Sequence, residues 1–66
     1  MTARINLKLK RIEKRIKQYE LAEKVNISRQ YLISIENGTA KNPSIDIMKK
    51  ISALLDTPVQ ELFFNE

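Results

Sequence analysis

The stretch Gln18–Asn37, QYELAEKVNISRQYLISIEN, decides how the rest of the chain is read. Leu21, Ala22 and Val25 fall on one face of a helix expected from about Gln18 to Val25. Leu32 and Ile35 do the same in a second helix, expected to run to about Glu36, while Arg29, Gln30 and Ser34 point the other way. The break between them is Asn26-Ile27-Ser28. Asparagine is the non-glycine residue most at ease with positive φ, so Asn26 suits the reversal of direction. Ile27 is expected to turn inward beneath the turn. Ser28 is a good N-cap, because its hydroxyl can accept from free backbone N–H groups of the second helix. Ala22 is small enough to let another helix cross closely, which makes it a packing position.

Ahead of this pair, Ile5, Leu9, Ile12 and Ile16 recur at i, i+4, i+7 and i+11 and predict an amphipathic first helix with that stripe turned inward. Leu7 lies off the stripe, which leaves the buried face either widened or rotated. Behind the pair, Asn37-Gly38 ends the helix, with Gly38 as its left-handed residue, and a loop follows to Pro43. Ser44 then caps a fourth helix with Asp46 in its first turn. Its expected stripe is Ile45, Met48, Ser52 and Leu55, flanked by Ile47, Ile51 and Leu54. Thr57, Pro58 and Gln60 form a capping-box pattern at N-cap, N1 and N3 of a short fifth helix, with Val59, Leu62 and Phe63 as its apolar face. The expectation is an all-α, five-helix fold in a single domain over residues 1–66.

Sixty-six residues leave room for one small core. The chain has no cysteine and no histidine, which removes disulfides, thiolate metal sites, the commonest metal ligand and the commonest general base. With no Gly-rich phosphate loop either, neither catalytic residues nor a metal nor a cofactor is expected. No apolar run approaches the roughly 20 residues that cross a bilayer, and no signal-peptide core follows Met1, so a soluble, cytoplasmic protein with no membrane partner is expected. The net charge is +4 with a pI near 9.6, and it is unevenly spread. Residues 1–17 carry Arg4, Lys8, Lys10, Arg11, Lys14, Arg15 and Lys17 against Glu13 alone, whereas residues 51–66 carry Asp56, Glu61 and Glu66 and no base. One end can face a polyanion and the other cannot.

Two helices joined by a turn of about three residues form a helix-turn-helix unit, whose second helix can enter a DNA major groove. The unit alone is a forgiving pattern. Taken with Gln18, Leu21-Ala22-Glu23, Asn26-Ile27-Ser28, Tyr31, Ile35-Glu36-Asn37-Gly38, Asn42-Pro43-Ser44 and Glu61-Leu62-Phe63, it is specific. From about Leu7 to Phe63 the chain resembles the Cro/repressor (XRE-type) helix-turn-helix family, the lambda-repressor-like five-helix DNA-binding domain. It departs from that family at Arg15, where glycine is usual, at Lys17, where a Thr or Ser cap is usual, and at Asn26 in place of the turn glycine. If position 15 needs positive φ, Arg15 costs about 1 kcal/mol there. The missing cap at Lys17 costs about as much, although a nearby DNA phosphate would make the same lysine useful.

The resemblance implies a sequence-specific, double-stranded-DNA-binding transcriptional regulator, of repressor type, acting as a homodimer on a (pseudo)palindromic operator. Arg29, Gln30 and Ser34 match the positions from which family members read bases. Their chemistry agrees, since arginine suits the O6/N7 edge of guanine and glutamine the N6/N7 edge of adenine. Ile33 either touches a thymine methyl or packs beside the loop. Lys17, Gln18, Ser28, Asn37, Thr39 and Lys41 are the expected phosphate contacts, with Gln18 at a helix N-terminus. Arg11 and Glu36 match a basic and an acidic residue that pair inside family members. An internal ion pair is therefore expected of them.

Helix 5 is left for a partner copy, with Pro58, Val59, Glu61, Leu62 and Phe64 as the expected interface. No small-molecule effector is evident, since no second domain offers a sensing site. The competing reading is a protein-interaction module, an antitoxin or co-regulator built on the same fold, which exposed Ile33 and Phe64 would favour.

Overall fold

The computed structural model describes residues 4–40 and 43–64. It contains helices α1 (Ile5–Glu13), α2 (Gln18–Val25), α3 (Arg29–Asn37), α4 (Ile45–Leu55) and α5 (Val59–Phe63), with no strand among the described residues. Lys41, expected at a phosphate, and Asn42 lie outside them.

One device ends each of the first four helices. Arg15, Asn26, Gly38 and Asp56 all take the left-handed conformation, with φ of 59°, 64°, 80° and 51°. The next residue in each case donates its N–H five residues back: Ile16 to Arg11, Ile27 to Ala22, Thr39 to Ser34 and Thr57 to Ser52. This is the Schellman closure, which satisfies otherwise orphaned carbonyls and throws the following side chain toward the core. Ile16 and Ile27 pack against the core and Thr57 is buried. Only one of the four left-handed positions is glycine, and Arg15 is the least suited of the others. Arg15→Gly is therefore expected to stabilise the domain by about 0.5–1 kcal/mol, seen as a rise of a few degrees in Tm. An unchanged or lower Tm would show that Arg15 makes compensating contacts.

Helix starts are capped by the expected serines on α3 and α4. The Ser28 hydroxyl accepts from Tyr31 N–H at 3.0 Å and that of Ser44 from Ile47 N–H at 3.2 Å. Lys17 offers α2 no acceptor, but the Glu20 carboxylate reaches back to Lys17 N–H at 2.9 Å and supplies half of a capping box. At α5 the expected capping box is absent. Pro58 is extended (φ −58°, ψ 144°) and occupies the cap position itself, while the Thr57 hydroxyl donates to the Leu55 carbonyl. The left-handed turn at Asp56 draws Thr57 under the end of α4, away from the α5 N–H groups.

The core is Leu7, Leu21, Ala22, Val25, Leu32, Ile35, Ile51, Leu55 and Leu62, with every one of these helices contributing. Three sequence expectations fail here. On α1 the buried residues are Leu7 and Arg11, and the stripe Ile5, Leu9 and Ile12 is 56%, 54% and 52% exposed. The helix is rotated so that Arg11 can reach a buried partner. On α4, Met48, Ile51 and Leu55 face inward, while Ile45 is exposed and Ser52 is half-buried, its hydroxyl donating to the Thr57 carbonyl. On α5, Leu62 is a core residue and leaves the set of interface candidates.

Candidate nucleic-acid interface

The inner face of α3 is fixed by Leu32, Ile35 and Glu36. At about 100° per residue, Gln30, Ser34 and Asn37 then share the opposite face, with Ile33 beside them and Arg29 at the edge nearer α2. Gln30 and Asn37 are exposed; Ile33 and Ser34 are half-buried. The Ser34 hydroxyl donates to the Tyr31 carbonyl at 2.7 Å, which leaves its oxygen able to accept from outside. Asn37 is the last residue of α3, so it lies on the same stripe as Gln30 and not beyond the helix.

Behind this face sits a buried polar relay. Arg11 grips Glu36 through Nε to Oε2 at 2.6 Å and Nη2 to Oε1 at 3.3 Å, a two-pronged pair between α1 and α3. Arg11 is 7% and Glu36 4% exposed. The remaining Arg11 nitrogen donates to the Ile16 carbonyl at 3.0 Å, tying the α1–α2 turn to the same guanidinium. Gln18 extends the relay outward: its Nε2 donates to Glu36 Oε1 at 3.2 Å, and its Oε1 accepts from Arg29 Nη2 at 3.4 Å. A continuous chain of hydrogen bonds thus runs from the interior to the first residue of α3.

The Gln18 side chain is therefore committed at both ends. Its backbone N–H, in the first turn of α2, has no carbonyl four residues back within the helix and is the part that suits an anion. Lys17 and Ser28, the N-cap residues of α2 and α3, are exposed, with the Lys17 ammonium over the Tyr19 ring at 5.9 Å. Thr39 is exposed past the end of α3, its N–H held by Ser34.

Arg4 is a structural residue that sequence reasoning grouped with the basic surface. One of its terminal nitrogens donates to the Ile35 and Ala40 carbonyls at 2.9 and 3.1 Å, its backbone N–H donates to the Glu36 carbonyl, and its guanidinium lies over the Phe63 ring. It clamps the start of α1 to the end of α3. Nothing in a run of lysines and arginines separates such a clamp from a solvated charge. The capping role of Glu20, three residues after Lys17, was available from spacing.

No group of His, Cys, Asp or Glu that could hold a metal ion occurs among the described residues, and no helix of theirs is long and apolar enough to cross a membrane. An apolar hollow of about 270 Å³ lies between α4 and α5, lined by Ile45, Met48, Lys49, Val59 and Phe64.

Helices α2 and α3 with their Asn26–Ser28 turn are thus a helix-turn-helix unit within a five-helix domain. A family profile described as Helix-turn-helix matches residues 7–62, and the chain belongs to the Cro/repressor (XRE-type) helix-turn-helix family. It is 45% identical to the HTH-type transcriptional regulator SinR of Bacillus subtilis, over 77% of this chain and 54% of that protein. It is 35% identical to the immunity repressor protein of Bacillus phage phi105, over 100% of this chain and 45% of the relative. The chain spans about half the length of these curated relatives. The solved N-terminal DNA-binding domain of SinR from Bacillus subtilis superimposes with a TM-score of 0.81 at 41% identity, covering 96% of this chain and 90% of that one.

Proposed function

We propose that this chain is a sequence-specific DNA-binding transcriptional regulator of repressor type, acting in the cytoplasm as a homodimer. The observation that carries the reading is the outward stripe of α3. Gln30, Ser34 and Asn37 stand on one face with Arg29 at its edge, on a helix held rigidly from behind by core packing and the Arg11–Glu36 pair. A rigid helix that presents hydrogen-bonding side chains outward suits a major groove.

Arg29, Gln30 and Ser34 take base edges, and Ile33 lies where a thymine methyl would meet it. Lys17, Ser28, Thr39, Lys41 and the first-turn N–H of Gln18 take phosphates on either side. Asn37 serves whichever of the two its end of the groove presents. The partner copy docks on α5 through Pro58, Val59, Glu61 and Phe64, joined by exposed Ile45 at the rim of the α4–α5 hollow. Relatives named as regulators and repressors support the same assignment.

Selection from a random duplex library is the direct test. It is expected to recover an inverted repeat with half-sites about one helical turn apart. With about four phosphates neutralised by Lys17 and Lys41 of the pair, affinity for the selected site should fall on the order of a hundredfold between about 50 and 200 mM salt. A library unchanged by selection would sink the reading. A single unrepeated half-site would keep DNA binding and remove the dimer.

A further inference from the structure

We infer that the outer face of α1 is a second self-association surface, on which two copies of this chain pair with their α1 helices parallel. Ile5, Leu9 and Ile12 are the most exposed aliphatic residues outside the α4–α5 region, each more than half accessible. They lie about 150° around α1 from the core-facing pair Leu7 and Arg11, so a partner can approach without meeting the rest of the domain. A helix that is apolar on both faces has one face still to be covered.

Spacing and charge identify what covers it. Steps of four and then three residues are those of a coiled-coil seam, with Ile5 and Ile12 at d and Leu9 at a. The seam's flanks carry opposite signs, Lys8 at g on one side and Glu13 at e on the other. Both are exposed, and the 3.5 Å contact of Glu13 with Lys10 on its own helix uses one carboxylate oxygen. An acidic partner helix would meet Glu13, and a basic one Lys8. A second copy in parallel orientation satisfies both flanks, because each Lys8 then faces the other copy's Glu13 across the seam. In antiparallel orientation like flanks would meet.

Three half-exposed side chains fall far short of the ~800 Å² per partner that a stable complex buries, so the contact is weak between free molecules. It gains force where copies are already held close together, as on one stretch of DNA, where it would make adjacent binding cooperative. That consequence rests on the DNA-binding reading. The contact itself does not, and its test uses no DNA.

The chain has no cysteine, so a single introduced thiol reports one contact cleanly. In a parallel pair Ile12 meets its own counterpart, whereas in an antiparallel pair it meets Ile5. Concentrated Ile12→Cys protein is expected to form disulfide-linked dimers roughly tenfold faster than Lys24→Cys, an exposed position on α2. Adding Lys8→Glu should return the rate to the control level, and adding Glu13→Lys to that variant should restore it. Running the series in Phe64→Asp protein removes any contribution from α5. Equal rates for Ile12→Cys and Lys24→Cys, or a rate indifferent to the charge changes, would overturn the proposal, whatever else binds the stripe.

Discussion

Glu36→Gln is expected to cost about 3 kcal/mol or more, because it leaves the Arg11 guanidinium buried without its counter-charge. The shape is nearly unchanged, so the loss would be electrostatic and not a packing defect. Arg11 is held at 2.6 and 3.3 Å by the two carboxylate oxygens and is 7% exposed, so water cannot replace them where it stands. A single core in a domain of this size supplies only about 3–5 kcal/mol, so the variant should keep about 2 kcal/mol or less and melt many degrees below the parent by circular dichroism. The paired change Arg11→Met with Glu36→Leu removes both charges and should recover most of the stability. It would also cut Gln18 loose from the interior, since Gln18 Nε2 bonds the same carboxylate. A Glu36→Gln protein with an unchanged urea midpoint would show that the pair is solvated and contributes little.

That pair also explains where sequence reading succeeds and where it stops. The turn at Asn26, the caps Ser28 and Ser44 and the end at Gly38 are local devices, decided by residues within a few positions of one another, and all are present. The rotation of α1 is not local. Periodicity favours Ile5, Leu9, Ile12 and Ile16 as the inward stripe, but Arg11 must reach Glu36 25 positions away, and Leu7 is the apolar residue that shares Arg11's face. Tertiary pairing overrides the pattern. The same holds for Leu62, whose place in the core depends on how α5 folds back across α1 and α4. Of the candidate interface, the outward faces of Gln30 and Asn37 follow from α3 periodicity, whereas Arg29, seven residues before Glu36, shares that buried residue's side and is exposed as the first residue of the helix. The engagement of Gln18 at both ends, and that of Arg4 with the end of α3, follow only from the assembled bundle.

The relay from Arg11 to Arg29 makes the reading face separable into parts by binding measurements. Arg29→Ala is expected to lose about 1–3 kcal/mol on the selected site, roughly five- to 150-fold in affinity, and to relax preference at one base position per half-site. Lys17→Ala should weaken binding about evenly across sequences and lower the salt slope by about one for each copy. Gln18→Ala differs from both. Its side chain touches no candidate base-reading residue except Arg29, through the 3.4 Å bond, yet it also bonds Glu36. If the relay aims Arg29, Gln18→Ala should reproduce part of the Arg29→Ala loss of preference at that same position, and the double variant should lose less than the sum of the two. Strict additivity, or an even loss across sequences, would assign Gln18 to the phosphate backbone alone. Arg29→Lys sharpens the distinction, because an ammonium keeps the charge but cannot hold Gln18 and a guanine edge together in one planar fork. Affinity for unselected DNA should then survive while discrimination at that base falls.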